Sequence, residues 1–406
     1  MHIKQFLRSG SPATLFSAFF YFDISFMVWV MLGPLGNFIA EEFNLTASQK
    51  GLMTAMPILT GSLLRLVLGP LADRIGGRRT ALIGLSLTFV PIALGAFASQ
   101  SYAMILLIGL LLGVAGASFA VALPMASRWY PPEQQGLVLG IAGAGNSGTV
   151  LASLFAPQLA QLLGSWRSVF LVSMLPLAVA WLVVAFLAKD APGKVTLKTF
   201  AEYLHVARQP DTLWLSLMYS VTFGGFVGLA TFLPIFFHDQ YSLDKVSAGG
   251  FAALCVFAGS FIRPVGGYLS DRFGGIRILI GLFLLIAALA LGIGMLLPLA
   301  LETVLLFVLM TSLGSGNGSV FQIVPQRFPK EIGVVTGIVG AVGGLGGFLL
   351  PNLLGTLKDA TGSYGSGFFI YTAASLGCLV LITVLRGGWQ RTWAGEGGRA
   401  RAAAAD

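Results

Sequence analysis

Charge is scarce in this chain. Only 10% of its 406 residues are Asp, Glu, Lys or Arg, against roughly 25% in an average soluble domain. Hydrophobic residues make up 56%, a balance that fits lipid as the solvent rather than water. Period-two alternation is missing too, which argues against a transmembrane β-barrel, whose strands alternate lipid-facing and lumen-facing residues. Cysteine is nearly absent. Cys255 and Cys378 are the two, both inside apolar runs, so neither a disulfide framework nor a thiolate metal cluster is expected. No buried cluster of His, Cys and carboxylates offers acid–base, nucleophilic or metal chemistry, so the chain does not read as an enzyme and no cofactor is expected. A signal-peptide pattern is lacking as well. The apolar run after the basic N-terminus is too long for an h-region and has no clear cleavage site, so it reads as a first membrane span.

What the chain has instead is a succession of apolar runs, each long enough to cross a bilayer as a helix of about 20 residues. Hydropathy gives about twelve spans, at 13–40, 50–72, 80–99, 102–127, 135–163, 167–188, 212–238, 246–270, 278–298, 302–325, 332–357 and 366–387. The polar stretch from Lys189 to Asp211 separates six spans from six. The expected fold is therefore an all-α integral membrane protein with two pseudo-symmetric six-helix bundles. Its divisions are an N-terminal bundle 1–188, a linker 189–211, a C-terminal bundle 212–388 and a tail 389–406. The tail is rich in Gly, Ala and Arg and is expected to be disordered.

The formal charge of +8 does not signal nucleic acid, because the basic residues lie in short loops between spans. Alternating those loops puts Lys4, Arg8, Arg74, Arg78, Arg79, Arg128, Arg208, Arg272, Arg277, Arg327, Arg386 and others on one side of the membrane. The other side receives Lys50, Arg167, Lys245 and Lys358. The positive-inside rule makes the rich side cytoplasmic, with both termini on it. That places the chain as a multi-pass protein of the cell's inner membrane, with the lipid bilayer as its surroundings.

Two stretches are copies of each other: GSLLRLVLGPLADRIGGRR from Gly61 and GSFIRPVGGYLSDRFGGIR from Gly259. Arg65 aligns with Arg263, Asp73 with Asp271 and Arg74 with Arg272, each pair 198 positions apart. Gly140–Gly148 likewise resembles Gly337–Gly346. Parallel repeats of this kind imply a pseudo-two-fold axis along the membrane normal, with substrate bound near the midplane. An arginine at that depth costs about 2.5–3.5 kcal/mol on insertion scales. Guanidinium stays charged and presents a planar donor fork that matches flat oxyanions, so Arg65 and Arg263 are expected to form an anion site. The alternative is structural pairing with carboxylates or helix ends, but only Asp23 is expected at similar depth. Asp73, Arg74, Asp271 and Arg272 end the two helices in Gly-rich basic turns and read as a gating latch, or as plain topogenic charge. Gly143-Ala-Gly145-Asn146-Ser-Gly148 fits a dinucleotide fingerprint literally, but no strand precedes it, so no nucleotide is expected. Those glycines suit close helix packing, with Asn146 available to a substrate. Gly337–Pro351 reads as packing alone. Gly314-Ser-Gly316-Asn317-Gly318-Ser-Val-Phe-Gln322 reads as a polar, cavity-facing patch.

The paired G-x-x-x-D-R-x-G turns at Gly69–Arg79 and Gly266–Gly275 resemble the loop signature of the major facilitator superfamily. With the two Arg-bearing helices, Gly140–Gly148 and Gly337–Pro351, the chain from Pro12 to about Gly377 resembles that superfamily's nitrate/nitrite porters. Tyr21–Trp29, Val121–Pro132 and Tyr219–Phe226 look like its short bacterial assimilatory branch. The resemblance implies a secondary transporter in which Arg65 and Arg263 bind nitrate, Phe26, Phe119, Tyr219 and Phe223 wall the site, and Asn146 adds a polar contact. Nitrate, nitrite and protons are then the expected partners. Entry of an anion against an inside-negative potential costs about 2.3 kcal/mol per charge per 100 mV. Nitrate/proton symport is the leading expectation, with Asp23 as the candidate proton carrier. Nitrate/nitrite antiport and exchange of another small oxyanion remain the alternatives.

Overall fold

The computed structural model describes residues 9–131, 134–192, 200–328 and 331–399. Lys4, Arg8 and Pro132, named above, lie outside these. Among the described residues, twelve helices are long and apolar enough to span a membrane, and no strand occurs. The spans, numbered in chain order, are Pro12–Trp29, Ala47–Ile75, Gly77–Phe97, Tyr102–Ser127, Val138–Leu162, Trp166–Leu187, Pro210–Tyr241, Lys245–Phe273, Gly275–Ile293, Leu299–Arg327, Gly333–Thr361 and Gly365–Thr392.

Two expectations need correction. Span one stops at Trp29 rather than 40, and a separate short helix, Gly36–Phe43, follows. Pro34 in the intervening turn has no N–H to continue the ladder. A Cβ on Gly33 would lie 2.2 Å from the Thr231 carbonyl, so this turn is shaped by close backbone approach. The linker carries a helix, Phe200–Ala207. The tail is ordered through Arg399: span twelve continues to Thr392, and Glu396–Gly398 forms a 3-10 turn.

The chain divides into two compact units, one of Met1–Lys198 with Ala230–Ala253 and the other of Thr199–Leu229 with Leu254–Asp406. The segment Ala230–Ala253 belongs to the first unit because polar groups fasten it there. Asn37 Nδ2 donates to the Pro234 carbonyl at 2.9 Å. Lys50 Nζ reaches both carboxylate oxygens of Asp239, at 2.9 and 2.7 Å, and Lys245 pairs with Glu41. Arg167 holds Glu42 with two nitrogens, at 2.9 and 2.6 Å. These partners draw the carboxyls of Glu41 and Glu42 below the usual carboxylate range, the hydrogen bond from Lys245 or Arg167 contributing most. Three of the four basic residues on the charge-poor side are thus paired, and two of them, Lys50 and Lys245, help to line a cavity of about 520 Å³ with Glu41 and His238.

At the opposite, basic side the two repeated turns share one backbone device. Gly76 has φ +96° and Gly274 φ +97°, a region that L side chains rarely adopt. Each caps the next helix, Gly77–Phe97 or Gly275–Gly294. This reversal lets span two pass into span three, and span eight into span nine, with one residue between them.

Candidate functional site

In the first unit the site is built around Arg65, in the middle of the continuous helix Ala47–Ile75 and only 1% exposed. Its Nε and Nη2 both face the Gly116 carbonyl at 3.4 Å. That carbonyl is available because span four breaks after Gly116 and resumes at Phe119, leaving last-turn acceptors without intrahelical donors. The guanidinium carbon lies 5.1 Å from the Phe119 ring centre and 5.8 Å from that of Trp29, a cation–π setting. Trp29 is fixed in turn by a 2.7 Å bond from its Nε1 to the Pro57 carbonyl. Phe26 packs between Trp29 and Phe22 at centroid distances of 4.6 and 4.2 Å, and Phe22 reaches Phe119 at 5.7 Å. The buried charge therefore sits beside a connected aromatic cluster.

Span five meets that cluster where it loses regularity. The helix Gln135–Gly143 passes through a 3-10 turn, Ala144–Ser147, before resuming as Gly148–Leu162. Asn146 lies in this turn and is buried. The glycines on either side are there for contact: a Cβ on Gly145 would lie 2.5 Å from the Phe22 ring, and one on Gly148 would lie 1.8 Å from the Asp23 carbonyl. Asp23 is buried too. Its Oδ1 accepts from Ser147 Oγ at 2.6 Å, and the Gly148 N–H also donates to it. A carboxylate here sits at the N-terminus of the resumed helix, where the helix dipole favours negative charge.

The second unit builds its own version. Arg263 does not lie within an unbroken helix, as its repeat partner does; it opens Arg263–Phe273 just after a break at Ile262, with Pro264 next to it. Phe321 from span ten covers it at 5.6 Å. The same ring meets Tyr219 edge-on at 4.8 Å, and Tyr219 stacks parallel on Phe223 at 5.0 Å. Tyr219 caps a π-helical turn, Ser220–Gly224, and Phe223 lies within it. The extra residue in that turn redirects the Val221 carbonyl to Tyr371 Oη, at 2.6 Å. Span eleven's glycines press on this turn, since Cβ atoms on Gly343 and Gly346 would lie 2.2 Å from Tyr219 and 2.4 Å from the Ser220 carbonyl. In span ten, Gly314 and Gly318 abut the backbone carbonyls of Gly259 and Arg263. Asn317 between them is buried, four residues from Phe321, and its Oδ1 has no hydrogen-bond partner among the described residues.

The gating residues divide unequally. Asp73 pairs with Arg128, while Arg74 is exposed. Asp271 and Arg272 are both exposed, and Arg272 lies over its neighbour Phe273. Sequence reasoning missed Trp29, Phe22 and Phe321. Phe22, Phe26 and Trp29 carried a signal, being spaced four and three apart on one helical face; Phe321 carried one only as the residue a turn beyond Asn317. A second carboxylate is buried, at a helix start rather than within a span. Glu302 is fully buried in the first turn of span ten, its Oε2 accepting from the Leu297 N–H at 3.3 Å.

Comparison with known proteins decides the family. The Major Facilitator Superfamily pattern matches residues 15–351. The "Nitrite extrusion protein" of Bacillus subtilis is 34% identical over 357 residues, covering 88% of this chain and 90% of that protein. The chain belongs to the nitrate/nitrite porters of the Major Facilitator Superfamily. A "Probable nitrate transporter NarT" from Staphylococcus carnosus is 36% identical over 361 residues, 88% of this chain and 92% of its own length. A "Probable nitrate/nitrite antiporter NarK1" from Thermus thermophilus is 35% identical over 401 residues, 90% of each. The porter also shares its fold with a bacterial homologue of the human lysosomal transporter Spinster, solved in an inward-facing and occupied conformation. That match has a TM-score of 0.68 at 18% identity and covers 93% of this chain and 96% of the other. Membership makes the protein a multi-pass membrane transporter rather than an enzyme.

Proposed function

We propose that this porter carries nitrate, and nitrite with it, by alternating access in symport with protons. The observation that carries this reading is the duplication of one arrangement. Each unit supplies a guanidinium, Arg65 or Arg263, beside an aromatic ring from span four or span ten, at 5.1 and 5.6 Å. Such a setting suits a small, flat, weakly hydrated anion, which exchanges its water for a planar donor fork and ring edges. A phosphate-like dianion would call for further lysine or histidine. Lys50, Lys245 and His238 instead line the cavity at the charge-poor side. The relatives' names point the same way.

In this reading Phe26, Phe119, Tyr219 and Phe223 wall the substrate path, Asn146 and Asn317 give it polar contacts, and Asp23 is the proton-coupling candidate. Asp73, Arg74, Asp271 and Arg272 gate the basic side, which faces the cytoplasm of the inner membrane. Nitrate/nitrite exchange is the second reading, favoured by the name of the Thermus relative. Labelled nitrate uptake into proteoliposomes separates the two. Symport requires accumulation driven by an imposed pH gradient with no internal anion. Uptake that is indifferent to pH and needs internal nitrite establishes exchange.

A further inference from the structure

We infer that Trp393–Arg399 is a peptide strap that docks on the second basic-side turn and does there what side chains do at the first. At the first turn two groups hold the reversal. Arg128, at the end of span four, pairs with Asp73. Asp190, just past span six, accepts from the Arg78 N–H at 3.0 Å, and its carboxylate occupies the place of a Gly76 Cβ, 2.5 Å away. Spans four and six are thereby tied to the turn between spans two and three.

The second turn has the same backbone but neither tie. Arg327, at the end of span ten, pairs with Asp211 rather than Asp271, and Asp211 also takes the Trp389 Nε1 at 2.8 Å. Backbone from beyond span twelve fills the vacated role. A Gly274 Cβ would lie 2.2 Å from the Gly397 carbonyl, and a Gly398 Cβ 2.6 Å from the Ile276 nitrogen. Gly397 and Gly398 take φ of +66° and +89°, so only glycine makes this approach without strain. Gln326 Nε2 donates to the Gly398 carbonyl at 3.2 Å, and Arg277 Nη2 to Glu396 at 3.2 Å. The strap is anchored by Trp393 on Trp389, 5.2 Å between rings, and by the fully buried Ala394. The Arg277–Glu396 ion pair is exposed, with side chains 57% and 79% accessible, and pairs of that kind contribute little. Backbone packing, rather than that pair, holds the strap.

The strap joins the turn to the ends of spans ten and twelve, so those helices move together in a transport cycle. The inference does not depend on which anion is carried. Two variants test it. Gly397→Val with Gly398→Val blocks docking without touching a span. Trypsin cleavage after Arg272 and Arg277 should rise about tenfold, because cleavage follows the open population. Maximal nitrate uptake should fall about threefold with an unchanged KM, because the loss is in a conformational step. In Arg277→Cys with Glu396→Cys, which leaves Arg272 as the cleavage site, a cross-link should keep Arg272 protected and uptake near normal; the native Cys255 and Cys378 are buried. Unchanged cleavage in the valine variant overturns docking. A raised KM, or abolished uptake in the cross-linked variant, overturns the proposed role. Failure of all variants and the parent to carry nitrate bears on the substrate assignment, and the cleavage result still decides docking.

Discussion

Arg65→Lys keeps a positive charge at a site that is 1% exposed and removes the fork. In the native site two nitrogens of the guanidinium share the Gly116 carbonyl at 3.4 Å, while the plane lies 5.1 Å from Phe119 and 5.8 Å from Trp29. A lysine ammonium is a strongly hydrated point charge, and it reproduces neither the shared carbonyl contact nor the planar presentation to an anion. One charge-assisted hydrogen bond is worth about 1.5–3 kcal/mol. At about 1.4 kcal/mol per tenfold, that corresponds to a loss of roughly 10- to 150-fold in kcat/KM for nitrate. Arg263→Lys should fall in the same range. Arg65→Gln should be worse, since it loses the charge too. The assay is initial-rate uptake in proteoliposomes, normalised to reconstituted protein and paired with a thermal-unfolding control. If both lysine variants keep uptake within threefold of the parent while folding normally, the fork is not what recognises the anion and the site assignment fails.

Asp23→Asn keeps an acceptor for Ser147 and the Gly148 N–H but cannot take up a proton; it should abolish pH-driven accumulation and leave nitrate counterflow intact, and persistent pH-driven uptake would remove Asp23 from coupling. Within one glycine run, Gly148→Ala should destabilise by about 1–3 kcal/mol through overpacking, because its Cβ meets backbone at 1.8 Å; Gly143→Ala, with nothing within 4 Å, should be tolerated. Equal unfolding temperatures for the two would contradict that packing. Lys50→Gln and Asp239→Asn each remove an ion pair whose side chains are 15% and 16% exposed, and their double-mutant cycle should show a coupling of about 1 kcal/mol or more, in the range for residues in contact. Additive effects would mean that the pair does not fasten Ala230–Ala253.

Much of this molecule was legible before any coordinates. Span count, charge asymmetry and the pairing of Arg65 with Arg263 follow from local composition and from a repeat, because lipid leaves a backbone few options other than helix. The Gly-rich turns were legible as turns, but that Gly76 and Gly274, rather than the glycines next to them, take φ of +96° and +97° came only with the structure. Other features depend on residues far apart in the chain. Arg128 finds Asp73, yet its counterpart Arg327 finds Asp211, and nothing near either arginine distinguishes them. The tail looked disordered because Gly397 and Gly398 carry no apolar pattern; their order comes from the surface at Gly274 and Ile276 that receives them. Glu302 escaped notice because burial at a helix start is set by neighbouring spans rather than by hydropathy. Ala230–Ala253 belongs with the first unit because Asp239 and Lys245 meet Lys50 and Glu41. Lipid decides which segments become helices, but side chains distant in sequence decide how each helix is tied.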